Sequence, residues 1–472
     1  MNPSGICYMS ATELGRLIHK KEISPSEAVK AYLGRIDAVE STYHGFITLR
    51  AVEALEQARL LDKEAIAGKF RSPLHGVPVA IKDSINIAGA PSTGGSRIFR
   101  NNIALTDSTV VQKLNEAGAI VIGKTNMTEL GIAETIEFPW GTPVNPWNHS
   151  RSTGSSSAGS GAATAAFMCA ASLGGDTGGS IRMPASYCGL VGLRPSFGRV
   201  SRHGVMTVTW SMDTVGPMSR SVEDCALITQ TIAGYDQKDR YTYKIPVPDY
   251  LSSIDKGIKG VRIGVIRELT EAAQVDNEVA AAFDAAVAKL QNLGAIVDQI
   301  SLPMVQNSGP IHWIICYAEF GTTYRQILRT RAHDLTHMVR ISVLAGSLLP
   351  AQAYYKALLL REKLRREMLD AFNHFDILVC PTMPTGAGKR AQSVYTTSKE
   401  MVANWMTGPV RMQAPFNLAN VPALSVPSGL TSEHLPIGLQ IVGRPMDEET
   451  IFRVAQAYEQ STKWHTLQPP AT

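Results

Sequence analysis

Apolar residues along this chain fall into two rhythms, and their alternation sets the expected architecture. Near the start, Leu14, Leu17 and Ile18 share one helical face, and Ser10-Ala11-Thr12-Glu13 before them reads as a capping box. A second box, Ser24-Pro25-Ser26-Glu27, puts proline at the first helical position and opens a stripe of Val29, Tyr32, Leu33 and Ile36. Further on, short unbroken apolar runs replace the stripes. Residues 77–81 read as a buried strand. Residues 107–117 read as a helix closed by Gly118, with the apolar run 119–122 behind it, and residues 276–293, Gly294 and 295–297 repeat the device. Glycine past a helix end, then a β-branched run, marks an α-to-β connection. Strands are also expected at 261–266, 377–380, 423–427 and 437–442. Helices alternating with buried strands predict an α/β domain layered about a large sheet. We read residues 1–472 as a single domain, with an N-terminal helical layer over 1–70 and an α/β core over 75–470. The polar, proline-bearing stretch 235–259 is expected to be a surface excursion.

One segment breaks both rhythms. Residues 154–184 read GSSSAGSGAATAAFMCAASLGGDTGGSIRMP, with glycine and serine clustered at 154–161 and 174–180. The alanine-rich run between them, 162–172, is expected to be helical. A flexible linker has the glycine and serine but not the apolar centre. Glycine and serine bury little apolar area, so a core does not call for them; backbone that bends sharply against a ligand does. Gly178-Gly179-Ser180 leaves room for the amides of Thr177, Gly178, Gly179 and Ser180 to converge as an oxyanion hole beside a serine nucleophile. Asp176 and Arg182 flank this turn as a charged pair that would hold its shape.

Composition narrows the classes of function. Apolar residues make up 44% and charged residues 18% of the 472, which is a globular balance. The net charge of +4 is scattered, so no nucleic-acid stripe is expected. The six cysteines show no C-x-x-C spacing and sit apart, three of them in apolar runs, which fits buried free thiols and a reducing, cytoplasmic setting. The N-terminus has no long apolar stretch of the secretory kind, and no run reaches the roughly 18 apolar residues of a membrane span. Neither a metal nor an organic cofactor is expected, since no H-E-x-x-H or clustered Cys/His set occurs.

A serine nucleophile needs a base. None of the 11 histidines falls in either glycine/serine cluster, and His149 reads as a hydrogen-bonded turn residue. No G-x-S-x-G elbow surrounds Ser180. Lys82 ends the apolar run 77–81, where desolvation would lower its pKa and free a neutral amine. A strand-end lysine paired with Asp83 at the surface explains the same residues equally well. A loose S-x-x-K at Ser253 and Lys256 lies in the polar stretch.

At these residues the chain resembles the amidase signature family of serine hydrolases. The glycine/serine block 155–159 and the blocks 176–184 and 188–195 all match. So do His75-Gly76-Val77-Pro78-Val79-Ala80-Ile81-Lys82-Asp83, Gly123-Lys124-Thr125-Asn126-Met127-Thr128-Glu129, and the C-terminal stretches 417–427 and 435–443. The resemblance runs from about His75 to the end and implies a large mixed sheet sandwiched by helices. It places the catalytic lysine on Lys82, the bridging serine on Ser156 and the nucleophile on Ser180. Its usual G-G-S-S-G-G reads Gly154-Ser155-Ser156-Ser157-Ala158-Gly159 here, so Ser157 stays an alternative bridge. In relatives a cis peptide precedes the bridging serine, which here would join Ser155 to Ser156. The implied reaction is hydrolysis of an amide through an acyl-enzyme, with a small-molecule substrate, no nucleic acid and no membrane as partners, and a homodimer as a candidate assembly.

The resemblance leaves the substrate open. An aryl or bulky amide is expected, with carbamate or ester hydrolysis as an alternative. Met127, Phe138, Trp140 and Trp210 are the expected pocket walls, and core packing explains the same residues as well. The rival within the family is the glutaminase subunit of tRNA-dependent amidotransferase. Three departures stand against it. Val410, in the stretch Met406-Thr407-Gly408-Pro409-Val410-Arg411, falls at or near that subunit's glutamine-gripping aspartate. His312-Trp313 replaces its paired tyrosines. Its D-G-x-R-Y-G segment is missing after Glu319-Phe320-Gly321. An inactive binding protein on the same scaffold is disfavoured by Lys82, Ser156 and Ser180 occurring together.

Overall fold

The computed structural model describes residues 3–132, 138–271, 275–390 and 408–470. Met406 and Thr407 of the stretch compared above lie outside them. The chain opens with α1 (Ala11–His19), α2 (Pro25–Tyr43) and β1 (Phe46–Leu49). It continues through β2 (Pro78–Lys82), α3 (Thr109–Glu116), β3 (Ile120–Thr125), α4 (Ala158–Ala165), β4 (Ala171–Asp176), α5 (Arg182–Tyr187), β5 (Val191–Arg194) and β6 (Thr214–Ser219). The second half holds β7 (Arg262–Ile266), α6 (Asn277–Asn292), β8 (Ile296–Ile300), α7 (Ser308–Arg331), β9 (Ile377–Pro381), β10 (Ala423–Leu430), β11 (Pro436–Gly443) and α8 (Glu448–Gln460). The eleven strands among the described residues form one sheet, ordered β1-β3-β2-β4-β6-β5-β10-β11-β9-β7-β8. It is mixed: β2 runs parallel to both β3 and β4, and β7 to both β8 and β9, while the remaining neighbours are antiparallel. The expected α/β domain with a large mixed sheet and helical layers is what the chain forms. No described helix is long and apolar enough to cross a membrane.

The strands read as unbroken apolar runs because both sheet faces are covered. Every residue of β2, β3, β5 and β9 is buried, whereas the edge strand β8 leaves Ile296 60% exposed. The second capping box forms in full: Ser24 Oγ accepts from the Glu27 amide, and Glu27 Oε2 accepts from the Ser24 amide. At the first, Ser10 Oγ accepts from the Glu13 amide, but the next free amides, of Ala11 and Thr12, donate to Asp224 at 2.9 and 2.8 Å. A carboxylate 212 residues away thus completes a cap that the local sequence only half supplies.

Three expectations change. The alanine-rich run 162–172 is not one helix: α4 ends at Ala165, and Ala171 already belongs to β4. The N-terminal segment is not only helical, since β1 pairs antiparallel with β3 and extends the sheet. The stretch 235–259 is not wholly a surface excursion. Tyr250, Ile254 and Ile258, at successive i,i+4 positions, are buried and pack with the β10–β11 side of the core. The loose S-x-x-K is structural there, with the Ser253 hydroxyl donating to the Tyr250 carbonyl and Lys256 exposed. The six cysteines are buried and unpaired.

Candidate active site

Two parallel neighbours build the site. β2 and β4 lie side by side, with Ile81 opposite Leu173, so Lys82 and the turn after Asp176 emerge from the same sheet edge. The crevice beyond strand C-termini is where open α/β sheets collect their ligands. Lys82 is 3% exposed, and its Nζ lies 2.7 Å from Ser156 Oγ in a hydrogen bond. Burial pushes the Lys82 pKa down to about 7, against the opposing pull of Asp176 and Asp213. The peptide bond between Ser155 and Ser156 is cis. Ser157 is turned elsewhere. Its Oγ donates to the Gly175 carbonyl and accepts from the Gly175 amide, each at 3.3 Å, bracing β4. The Ser157 amide donates to the Ser180 carbonyl at 3.4 Å, which ties the serine turn to the loop carrying Ser180.

Asp176 anchors that loop. Its carboxylate accepts from Arg182 Nε and Nη2, both at 3.0 Å, and from Asn417 Nδ2 at 2.8 Å. It also accepts from the Gly179 amide at 2.8 Å and the Ile181 amide at 3.3 Å. Arg182, Arg194 and these donors hold the Asp176 carboxyl far below the usual carboxylate range. The Gly179 amide, expected among the oxyanion donors, is therefore engaged by Asp176. Arg182→Leu would strand a buried carboxylate without its bidentate partner. We expect a loss of about 3–5 kcal/mol in unfolding free energy, read by urea denaturation. A loss under about 1 kcal/mol would mean that Arg194 and Asn417 suffice.

The chain encloses two cavities against this framework. One, of about 210 Å³, is lined by Lys82, Ser156, Asp176, Thr177 and Asp213, with Met127, Trp210, Arg202 and Lys238 further out. The other, of about 160 Å³, is lined by Ser180, Ser155, Thr177, Gly178, Met183, Val208, Ile132, His312, Trp313, Cys316, Met338 and Val410. Its described lining holds no carboxylate and no cation. Of the expected wall residues, Met127 and Trp210 line the Lys82 side. Phe138 does not: it faces a separate groove with Arg97 and residues 333–336. Trp140 is half-buried and lines neither cavity. Both lie within the turn closed by the Gly141 amide on the Phe138 carbonyl, away from the crevice. His149 is exposed and sets its ring edge against Tyr43.

Of two further site residues, Asp213 carries no local signal in the sequence, and His312 is marked there only through the pair His312-Trp313 of the family resemblance. Asp213 accepts from Thr177 Oγ1 at 2.6 Å and from the amides of Val208 and Thr209, locking the wall shared by the two cavities. His312, on α7, packs over Gly178. Both lie far along the chain from the motifs they touch. Among the described residues, no group of three or more His, Cys, Asp or Glu is placed to hold a metal ion.

The strand ends thus carry a buried lysine hydrogen-bonded to a serine and a glycine-flanked serine loop at the same end of the sheet. The family model for amidases matches residues 27–452, and the chain belongs to the amidase family, a hydrolase acting on carbon–nitrogen bonds. It is similar to the A subunit of glutamyl-tRNA(Gln) amidotransferase of Thermosynechococcus vestitus, 39% identical over 97% of this chain and 98% of the relative. The solved A subunit of the Thermotoga maritima amidotransferase superposes with a TM-score of 0.80 at 30% identity, covering 96% of this chain and 95% of that one. The substrate-bound structure of 6-aminohexanoate cyclic dimer hydrolase gives a TM-score of 0.89 at 26% identity, covering 98% and 99%.

Proposed function

We propose that this chain cleaves a non-peptide amide by acylating Ser180, with Lys82 and Ser156 as the proton relay, and that its acyl pocket selects an uncharged, largely apolar substrate. The observation that carries this reading is the buried Lys82–Ser156 hydrogen bond beside the Ser180 cavity, whose described lining holds no carboxylate. Neutral Lys82 takes the Ser156 proton as Ser156 takes that of Ser180. The freed Ser180 Oγ attacks the carbonyl carbon, and the amides of Thr177, Gly178 and Ser180 receive the oxyanion. The relay then returns the proton to the leaving nitrogen, the C–N bond breaks, and water hydrolyses the ester by the same path.

The substrate class follows from the described lining of the cavity. A zwitterionic amino acid needs a carboxylate for its ammonium group, since a buried unpaired charge is costly. Val410 and Met338 occupy the wall instead. A panel of butyranilide, an aliphatic amide, a phenyl carbamate and glutamine tests this with the purified chain. We expect kcat/KM for the anilide or carbamate to exceed that for glutamine by about 100-fold or more, the discrimination typical of a missing polar partner.

A second reading has its own support. The 39% identity to the amidotransferase relative runs through the whole chain and favours a glutaminase that works beside a protein partner. Glutamine turnover that appears on adding such a partner, with no anilide hydrolysis, would establish that reading over the first.

A further inference from the structure

The Ser180 cavity holds one side chain that neither its apolar lining nor the relay explains. His312 is 2% exposed and lies over the serine loop. A Cβ on Gly178 would stand 2.6 Å from His312 Nε2, so only glycine admits the ring at this distance. The opposite ring nitrogen, Nδ1, is buried without a hydrogen-bond partner. An N–H at Nδ1 would be a buried donor without an acceptor, which is costly, so the single ring proton of a neutral imidazole sits on Nε2, beside Gly178. Burial, with Arg194, Arg361 and Arg182 nearby, pushes the His312 pKa down to about 3 against the pull of Asp176, so the ring is neutral across the working range.

We propose that His312 is a specificity residue: its neutral ring carries the proton on Nε2, and this N–H donates to an ether or carbonyl oxygen on the acyl part of the substrate, beside the scissile carbonyl. This rests on the reading that an amide acylates Ser180. An all-carbon acyl chain would leave that buried N–H unpaired, whereas an alkoxyacyl or oxoacyl group would pair it.

Methoxyacetanilide and butyranilide differ by one oxygen in place of a methylene and test the assignment directly. The inductive effect of the oxygen cancels when the ratio of their kcat/KM values is compared between variants. His312→Phe is expected to lower the methoxyacetyl-to-butyryl ratio about tenfold, the worth of one hydrogen bond in a buried site. Equal losses on both anilides in His312→Phe would overturn the proposal. Should His312→Phe not fold, long-range ¹H–¹⁵N NMR of the ¹⁵N-histidine-labelled wild type decides. The His312 signal, assigned by its absence in His312→Gln, is expected to show the Nε2–H form; the Nδ1–H form would overturn the tautomer. Wild-type protein that cleaves neither anilide would sink the amide reading and its acyl acceptor, a result distinct from the NMR one.

Discussion

Replacing Ser180 by alanine is expected to lower turnover on any accepted amide by on the order of 10⁴–10⁶-fold, the cost of removing a nucleophile from a relay that acts as a unit. The fold should survive. Ser180 is half-buried, and the contact it supplies to the serine turn runs through its backbone carbonyl, which the alanine variant keeps. A fluorophosphonate should label wild-type protein once, on Ser180, and leave Ser180→Ala unlabelled. Labelling of Ser156 or Ser157 with activity retained would move the nucleophile. The serines near the site have distinct partners: Ser156 meets Lys82 and Ser157 braces Gly175, whereas Ser180 lines the cavity together with Ser155.

Lys82→Arg should fail almost as badly as Lys82→Ala, with kcat/KM reduced by about 10²–10⁴-fold or more in each. Guanidinium keeps the charge but does not deprotonate in proteins, so it cannot accept the Ser156 proton. The sign of the pH dependence follows. A lysine whose pKa is lowered to about 7 is cationic and inactive as a base below that value and neutral above it. Wild-type kcat/KM should therefore climb with slope one below about pH 7 and level off above it. Asp213 enters the same equilibrium, because its charge favours the ammonium form. Asp213→Asn should shift the climbing limb to lower pH, although it also loosens the Thr177 bond and lowers the plateau. A Lys82→Arg variant with near-wild-type activity, folded by circular dichroism, would remove Lys82 from the relay.

Much of this was legible along the chain because it is local. A run of buried apolar residues makes β2 a strand whatever its neighbours, and Lys82 rides on its last position. Glycine at 178 and 179 is read the same way. Gly179 has φ +111°, which other residues rarely adopt, and a Cβ on Gly178 would collide with the imidazole above it. Asp176 and Arg182 form the predicted pair, six residues apart. Errors arose where one composition serves two structures. Alanine and small apolar residues over 162–172 suit a helix or a buried strand, and packing against β2 and β6 made the second half β4.

Periodicity and turn chemistry by themselves determined the two capped N-terminal helices, the strand bearing Lys82 and the serine loop, since each depends on sterics and burial within a few residues. Only the tertiary structure decided what faces that loop. The order of strands in the sheet sets β2 beside β4, and the packing of α7 carries His312 over Gly178. The loop before β6 carries Asp213 to Thr177, while the turn at Gly141 takes Phe138 and Trp140 away. These placements cost chain entropy that a few contacts cannot offset alone. They persist because the whole buried core holds both partners in place, and no short stretch of sequence records that.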